Sequence, residues 1–103
     1  MDARVKDLKT MRRRAGEAAD LLRALSHEAR LRVLCDLVED EKSAGELVAS
    51  SGLSQSALSQ HLAKLREEGL VATRREGQTI YYRLKDANAA RVLNTLYEIY
   101  CPK

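Results

Sequence analysis

Two cysteines, two histidines and a run of short polar side chains hold most of the reactive or recognising chemistry in this 103-residue chain. Cys35 and Cys101 stand 66 positions apart, too sparse for a secreted disulfide framework. In a reducing compartment such a pair is buried, metal-binding or redox-active. The thiolate form is both a nucleophile and a soft metal ligand, so each of these roles stays open for the pair. As small soft hydrophobes they serve equally well as inert core. Arg32, one turn before Cys35, would favour a thiolate there, whereas the end of a helix disfavours one at Cys101, so Cys35 is the expected attacking residue. No paired carboxylates, nucleophile-base pair or phosphate loop accompany these groups, and an enzyme is not expected.

The polar run is Ser54, Gln55, Ser56, Ser59, Gln60, His61 and Lys64. Serine and glutamine are short or amide-bearing, so a backbone carrying them approaches closely and pairs with base edges, glutamine bidentately with adenine. Lys64 suits a phosphate. Further on, Arg74, Arg75 and Gln78 cluster around a glycine. A plain solvated face and a merely soluble turn remain open for the two groups. His61 flanks an apolar stripe, which leaves packing and DNA contact both open, and His27 suits a cap or a packing role.

These residues need elements to position them. Val5, Leu8, Met11, Ala15, Ala18, Leu22 and Leu25 recur at steps of three and four, one stripe of a long first helix. Ser26 reads as the cap of a second helix, with Leu31, Leu34, Cys35 and Val38 inward and Glu39-Asp40-Glu41 at its end. Ser43 and Glu46 form a capping box for a short third helix stopped by Gly52, and Ser54 caps a fourth in which Leu58, Leu62 and Leu65 face inward. The period then changes. Residues 71–75 and 78–84, rich in Val, Thr, Ile and Tyr, read as a hairpin turning at Glu76-Gly77. Asp86 caps a last helix reaching about Tyr100. The expectation is a mainly α single domain, residues 1–103, of order α-α-α-α-β-β-α: a helix-turn-helix at 43–68 and a wing at 70–84. On that frame the polar run lies opposite the buried leucines and enters a major groove.

Composition agrees. With 45% apolar residues but no Phe or Trp, the core must be built from Leu, Val and Ala and would gain from a partner subunit. The first segment (1–25) and the last (86–101) are the expected dimerisation helices, through Leu8, Leu22, Leu93, Leu96, Tyr97 and Tyr100. Net charge is only +3, yet residues 61–85 carry six basic and three acidic groups while 36–46 carry five acidic and one basic. The N-terminus lacks the apolar core of a secretory signal and no run would span a bilayer, so a cytoplasmic, non-membrane location is expected.

Leu25-Ser26-His27-Glu28-Ala29-Arg30-Leu31-Arg32-Val33-Leu34 resembles the opening signature of ArsR-type (ArsR/SmtB) repressors, and Gly52-Leu53-Ser54-Gln55-Ser56-Ala57-Leu58-Ser59-Gln60-His61-Leu62 resembles their recognition helix. Gly69-Leu70-Val71 and the wing from Arg74 to Tyr82 extend the match over nearly the whole chain. The resemblance implies a winged-helix homodimer on double-stranded operator DNA, released by an effector. Metal sensing of the usual kinds is not expected: Ser43 and Gly45 stand where the metalloid site has cysteines, and Asn88 where the last-helix zinc site has its first histidine. One Cys on the second helix and one ending the last helix resemble the persulfide-sensing branch, the SqrR/BigR/HlyU type. That implies a repressor without cofactor, whose Cys35 and Cys101 react with persulfide or oxidant. Two alternatives stand beside it: sensing of a soft metal, metalloid or haem by the same cysteines, and a dimerising interaction module that binds no DNA.

Overall fold

The leucines at helical spacing in residues 58–65 become a buried stripe in the computed structural model, whereas the stripe expected on the first helix stays largely exposed; the structure describes residues 7–101, so Val5, the rest of residues 1–6, Pro102 and Lys103 lie outside the described residues. The order is α1 (Leu8–Leu25), α2 (Glu28–Asp36), β1 (Lys42–Ser43), α3 (Ala44–Ser51), α4 (Gln55–Glu67), β2 (Val71–Glu76), β3 (Thr79–Leu84) and α5 (Ala87–Tyr100). This is a winged helix-turn-helix, mainly helical, with a small antiparallel sheet of order β1-β3-β2.

The core is aliphatic throughout. Val33, Leu34 and Leu37 from the α2 region meet Leu47 of α3, Leu58, Leu62 and Leu65 of α4, Leu70 and Val71 entering the sheet, and Ala89 and Leu93 of α5. Only Leu25 of α1 is fully buried. Leu93, expected at a dimer interface, has no exposed surface even in the single protomer and belongs to this core. Its spacing is shared by the two faces of α5, and spacing alone does not separate them.

Local caps mostly follow the sequence. The Ser43–Glu46 box is reciprocal, Ser54 Oγ accepts from Ala57 N–H, and Asp86 accepts from the N–H groups of Asn88 and Ala89. Gly52 closes α3 at φ 76°, a left-handed conformation open to glycine at little cost, and so sets the turn into α4. Three expectations need correction. Ser26 does not cap α2: its N–H and hydroxyl both donate to the Arg23 carbonyl and close α1, while His27 Nδ1 accepts from Ala29 N–H. Nor does α2 run to Glu41. Acidic residues oppose the negative C-terminal end of a helix dipole, and the chain tightens after Asp36 through i→i−3 bonds at Leu37 and Val38. Released from the helix, Lys42 and Ser43 pair with Tyr82 and Tyr81 as a third strand. Finally, Glu76 pairs with Thr79, so the hairpin turns at Gly77-Gln78 rather than Glu76-Gly77. Gly77 takes the positive φ that the first position of a type II′ turn demands.

Because Leu58 anchors the first turn of α4 from a fully packed site, Leu58→Ala should lower unfolding stability by about 2–5 kcal/mol. Urea unfolding monitored by circular dichroism reads this directly; a loss under about 1 kcal/mol would mean the core relaxes around the gap.

Candidate DNA-reading face and cysteine pair

Burial of Leu58, Leu62 and Leu65 turns the other side of α4 outward, and Gln55, Ser56, Ser59, Gln60 and Lys64 are all exposed there. Ser54 is exposed too, but its oxygen already accepts the capping bond. It stands at the helix entrance with its hydroxyl proton and one lone pair left to engage a partner. His61 is half-buried, its ring centroid 5.1 Å from that of His27. Burial, then the neighbouring His27 and Arg30, push its pKa down.

At the wing, Arg75 and Gln78 are exposed near the tip. Arg74 is not the free cation expected: Nε donates to Glu41, Nη1 donates to Glu76 at 2.7 Å, and the guanidinium lies 4.5 Å from the Tyr81 ring centroid. Bonding to Glu76 and then Glu41 raises its pKa further above the ordinary arginine value. Glu41 lies 33 residues earlier. It arrives only because β1 joins the sheet, a pairing with no periodic signal in the sequence.

Cys35 is half-buried in the last turn of α2, and Cys101 is exposed just beyond α5; both are free thiols. Tyr97 joins their surroundings. Its hydroxyl donates to the Cys35 carbonyl at 3.0 Å, and its own carbonyl accepts from Cys101 N–H at 2.8 Å. The end of α5 is thereby tied to the end of α2. Burial pushes the Cys35 thiol up, and the charges of Asp36 and Cys101 add to this, while a hydrogen bond from Tyr97 opposes it. The expected help from Arg32 is absent, because that guanidinium donates to Glu28 at 2.8 Å and to the Ser51 carbonyl at 3.5 Å.

Those contacts reveal a link that spacing did not show. Arg32 grips the carbonyl of Ser51 in the helix-turn-helix, and Asp36 accepts from the Ser50 hydroxyl at 2.7 Å. Cys35 lies between these two side chains in sequence and shares with them a 520 Å³ groove whose far wall is Ser50, Ser51 and Gly52. Among the described residues, no three His, Cys, Asp or Glu side chains come together as a metal site.

Large apolar side chains remain exposed on two helices: Leu8, Met11 and Leu22 on α1, and Tyr97, Ile99 and Tyr100 on α5. Leu96 is half-buried against the core. Ile99, 58% exposed, was missed by the stripe count; its place in an otherwise amphipathic helix end was the available signal.

Residues 27–73 match the arsR family of bacterial regulatory proteins. The biofilm growth-associated repressor of Xylella fastidiosa is 52% identical over 91 residues, covering 88% of this chain and 80% of that protein. The crystal structure of the transcriptional repressor BigR from Xylella fastidiosa superposes with a TM-score of 0.86 at 49% identity, over 92% of this chain and 97% of that one. Reduced HlyU from Vibrio cholerae gives 0.84 at 45% identity, over 90% and 98%. These relatives are regulators of transcription rather than enzymes, and with the exposed polar face of α4 and the wing in place, the chain belongs to the arsR family of DNA-binding transcriptional regulators.

Proposed function

We propose that the chain is a homodimeric repressor that reads its operator through Gln55, Ser56, Ser59, Gln60 and Lys64 of α4 and Arg75 and Gln78 of the wing, and releases it when Cys35 and Cys101 are joined through sulfur. The observation that carries the switch is the position of Cys35: tied to the end of α5 through Tyr97, and set between the two side chains that hold the helix-turn-helix turn. A covalent pull on this residue is transmitted to Ser50 and Ser51 and from there to the angle of α4. Names given to the relatives favour this reading, since one is a repressor and another is described in a reduced form.

Exposure makes Cys101 the first nucleophile, reversing the sequence expectation. Its thiolate takes the outer sulfur of a low-molecular-weight persulfide RSSH, forming Cys101–S–SH and releasing RS⁻. The Cys35 thiolate then attacks the inner sulfur, forming the disulfide and expelling HS⁻. In sum, two thiols and RSSH become one disulfide, RSH and H₂S. If both cysteines are first persulfidated, their condensation expels H₂S and leaves a trisulfide, which spans a wider gap than the roughly 7 Å between Cα atoms that a disulfide tolerates.

Dimerisation follows from α1. Only one of its 18 residues is fully buried, whereas helices in proteins draw most of their stability from packing an amphipathic face. Its apolar stripe and the end of α5 supply the surface that a second copy would cover.

The switch is tested by measuring duplex affinity with and without a small-molecule persulfide. Wild type should weaken by a coupling of about 1–3 kcal/mol, with loss of two thiols by intact mass. Cys35→Ser and Cys101→Ser should bind when reduced and fail to release; equal release by all three proteins removes the cysteines from the mechanism. At the wing, Arg75→Ala should flatten the dependence of log K on log salt by about one unit. Arg74→Ala should change it less, because that charge is already matched; equal slopes for both variants would place Arg74 on DNA. For the dimer, Leu22→Glu with Ile99→Glu should produce a folded monomer by analytical ultracentrifugation that binds a two-half-site duplex poorly, and a dimer of undiminished stability would refute the α1–α5 interface.

A further inference from the structure

Where α1 gives way to α2, the surface folds into a 400 Å³ cleft against the outer side of α4, and every ionisable side chain lining it is basic: Arg23, His27, Arg30, His61 and Lys64, with Gln60 beside them. Two of these are already matched, Arg23 by Asp20 at 2.6 Å and Arg30 by Glu68 at 3.2 Å. Among the described residues, Lys64 and the two histidines have no acidic partner. His27 accepts at Nδ1 from Ala29 N–H, which fixes its proton on Nε2 and makes that nitrogen a donor. Gln60 and Lys64 belong to the exposed face of α4, so the cleft is continuous with the surface that reads DNA.

We infer that this cleft is a phosphate clamp, taking a backbone phosphate at the rim of the major groove entered by α4, with Lys64 and His27 Nε2 as donors and His61 as the group that gains a proton when the phosphate arrives. The inference rests on the DNA-reading role of α4. Charge complementarity selects the occupant: the cleft offers an anion site beside a face already suited to duplex DNA, and the acidic groups at its rim, Asp20 and Glu68, are each held by an arginine.

Proton uptake follows from the neighbours. In the free protein, burial and the proximity of His27 and Arg30 disfavour the charged form of His61, so the ring is neutral at pH 7. A phosphate beside it favours the imidazolium instead. The complex then holds more protons than the free protein, and affinity rises as pH falls. His27 and His61 are the only histidines in the chain, and no other side chain has an ordinary pKa between 5.5 and 7.

The test uses the full chain and a duplex selected by it from a random-sequence pool, at constant salt. From pH 7 to pH 5.5, wild-type affinity should rise by roughly threefold to tenfold. His61→Gln should flatten that profile, and His27→Asn, which keeps an oxygen to cap α2, should reduce it. Lys64→Gln should lower the salt slope by about one unit at every pH. Circular dichroism at both pH values confirms that the proteins compared are folded. A flat wild-type profile, or a His61→Gln protein that keeps the wild-type one, overturns the clamp while leaving salt-dependent duplex binding, and hence the reading of α4, intact. Absence of salt-dependent binding by wild type at every pH overturns both.

Discussion

Everything in this domain is hung on α2. Nine residues long, it buries Val33 and Leu34 against the helix-turn-helix and α5, while Arg32 and Asp36 on its polar edge hold Ser51 and Ser50. The two kinds of contact act on the same object from different sides. Packing fixes how deep α4 sits, and the two polar contacts fix the turn from which it springs. Since close-packed interiors shift between discrete arrangements rather than deforming smoothly, a small displacement of α2 reaches α4 as a change of angle.

The legible part of the fold is the local part. Gly52, the Ser43–Glu46 box, and the Ser54 and Asp86 caps are short-range patterns whose physics is complete within four residues, and each stands where the spacing put it. The outward face of α4 was readable for the same reason, because three leucines at helical spacing define their own opposite side. What escaped depends on distant chain. Lys42–Ser43 becomes a strand only because Tyr81 and Tyr82 are presented to it, and Arg74 is neutralised only because that strand carries Glu41 alongside. The apolar positions of α5 serve two masters, and periodicity could not tell that Leu93 faces inward while Ile99 stays out.

The cysteines show the same divide. Their identities and the place of Cys101 at a helix end were visible in the sequence, but Cys35 comes to a helix end only because α2 stops at Asp36, and the preference for Cys35 expected from Arg32 loses its support because that guanidinium is held by Glu28. Cys35 is shielded and held by Tyr97, and Cys101 is open to solvent. Such a pair divides labour: the open thiol meets the reagent, and the shielded one, whose neutral form is favoured, closes the bridge once it is presented with a sulfur electrophile.

The ion pairs at the wing carry a different consequence. Arg74 is shared between Glu41 and Glu76 and stacked on Tyr81, which braces the hairpin against β1 before any DNA is near. A braced hairpin loses little conformational freedom on docking, and with this charge spent internally it draws on general attraction for phosphates less than a loose basic arm would. On the proposed binding mode the wing acts as a gauge of groove width: duplexes whose minor groove already fits its rigid profile are favoured, and those that must be deformed are penalised at base pairs the protein never touches.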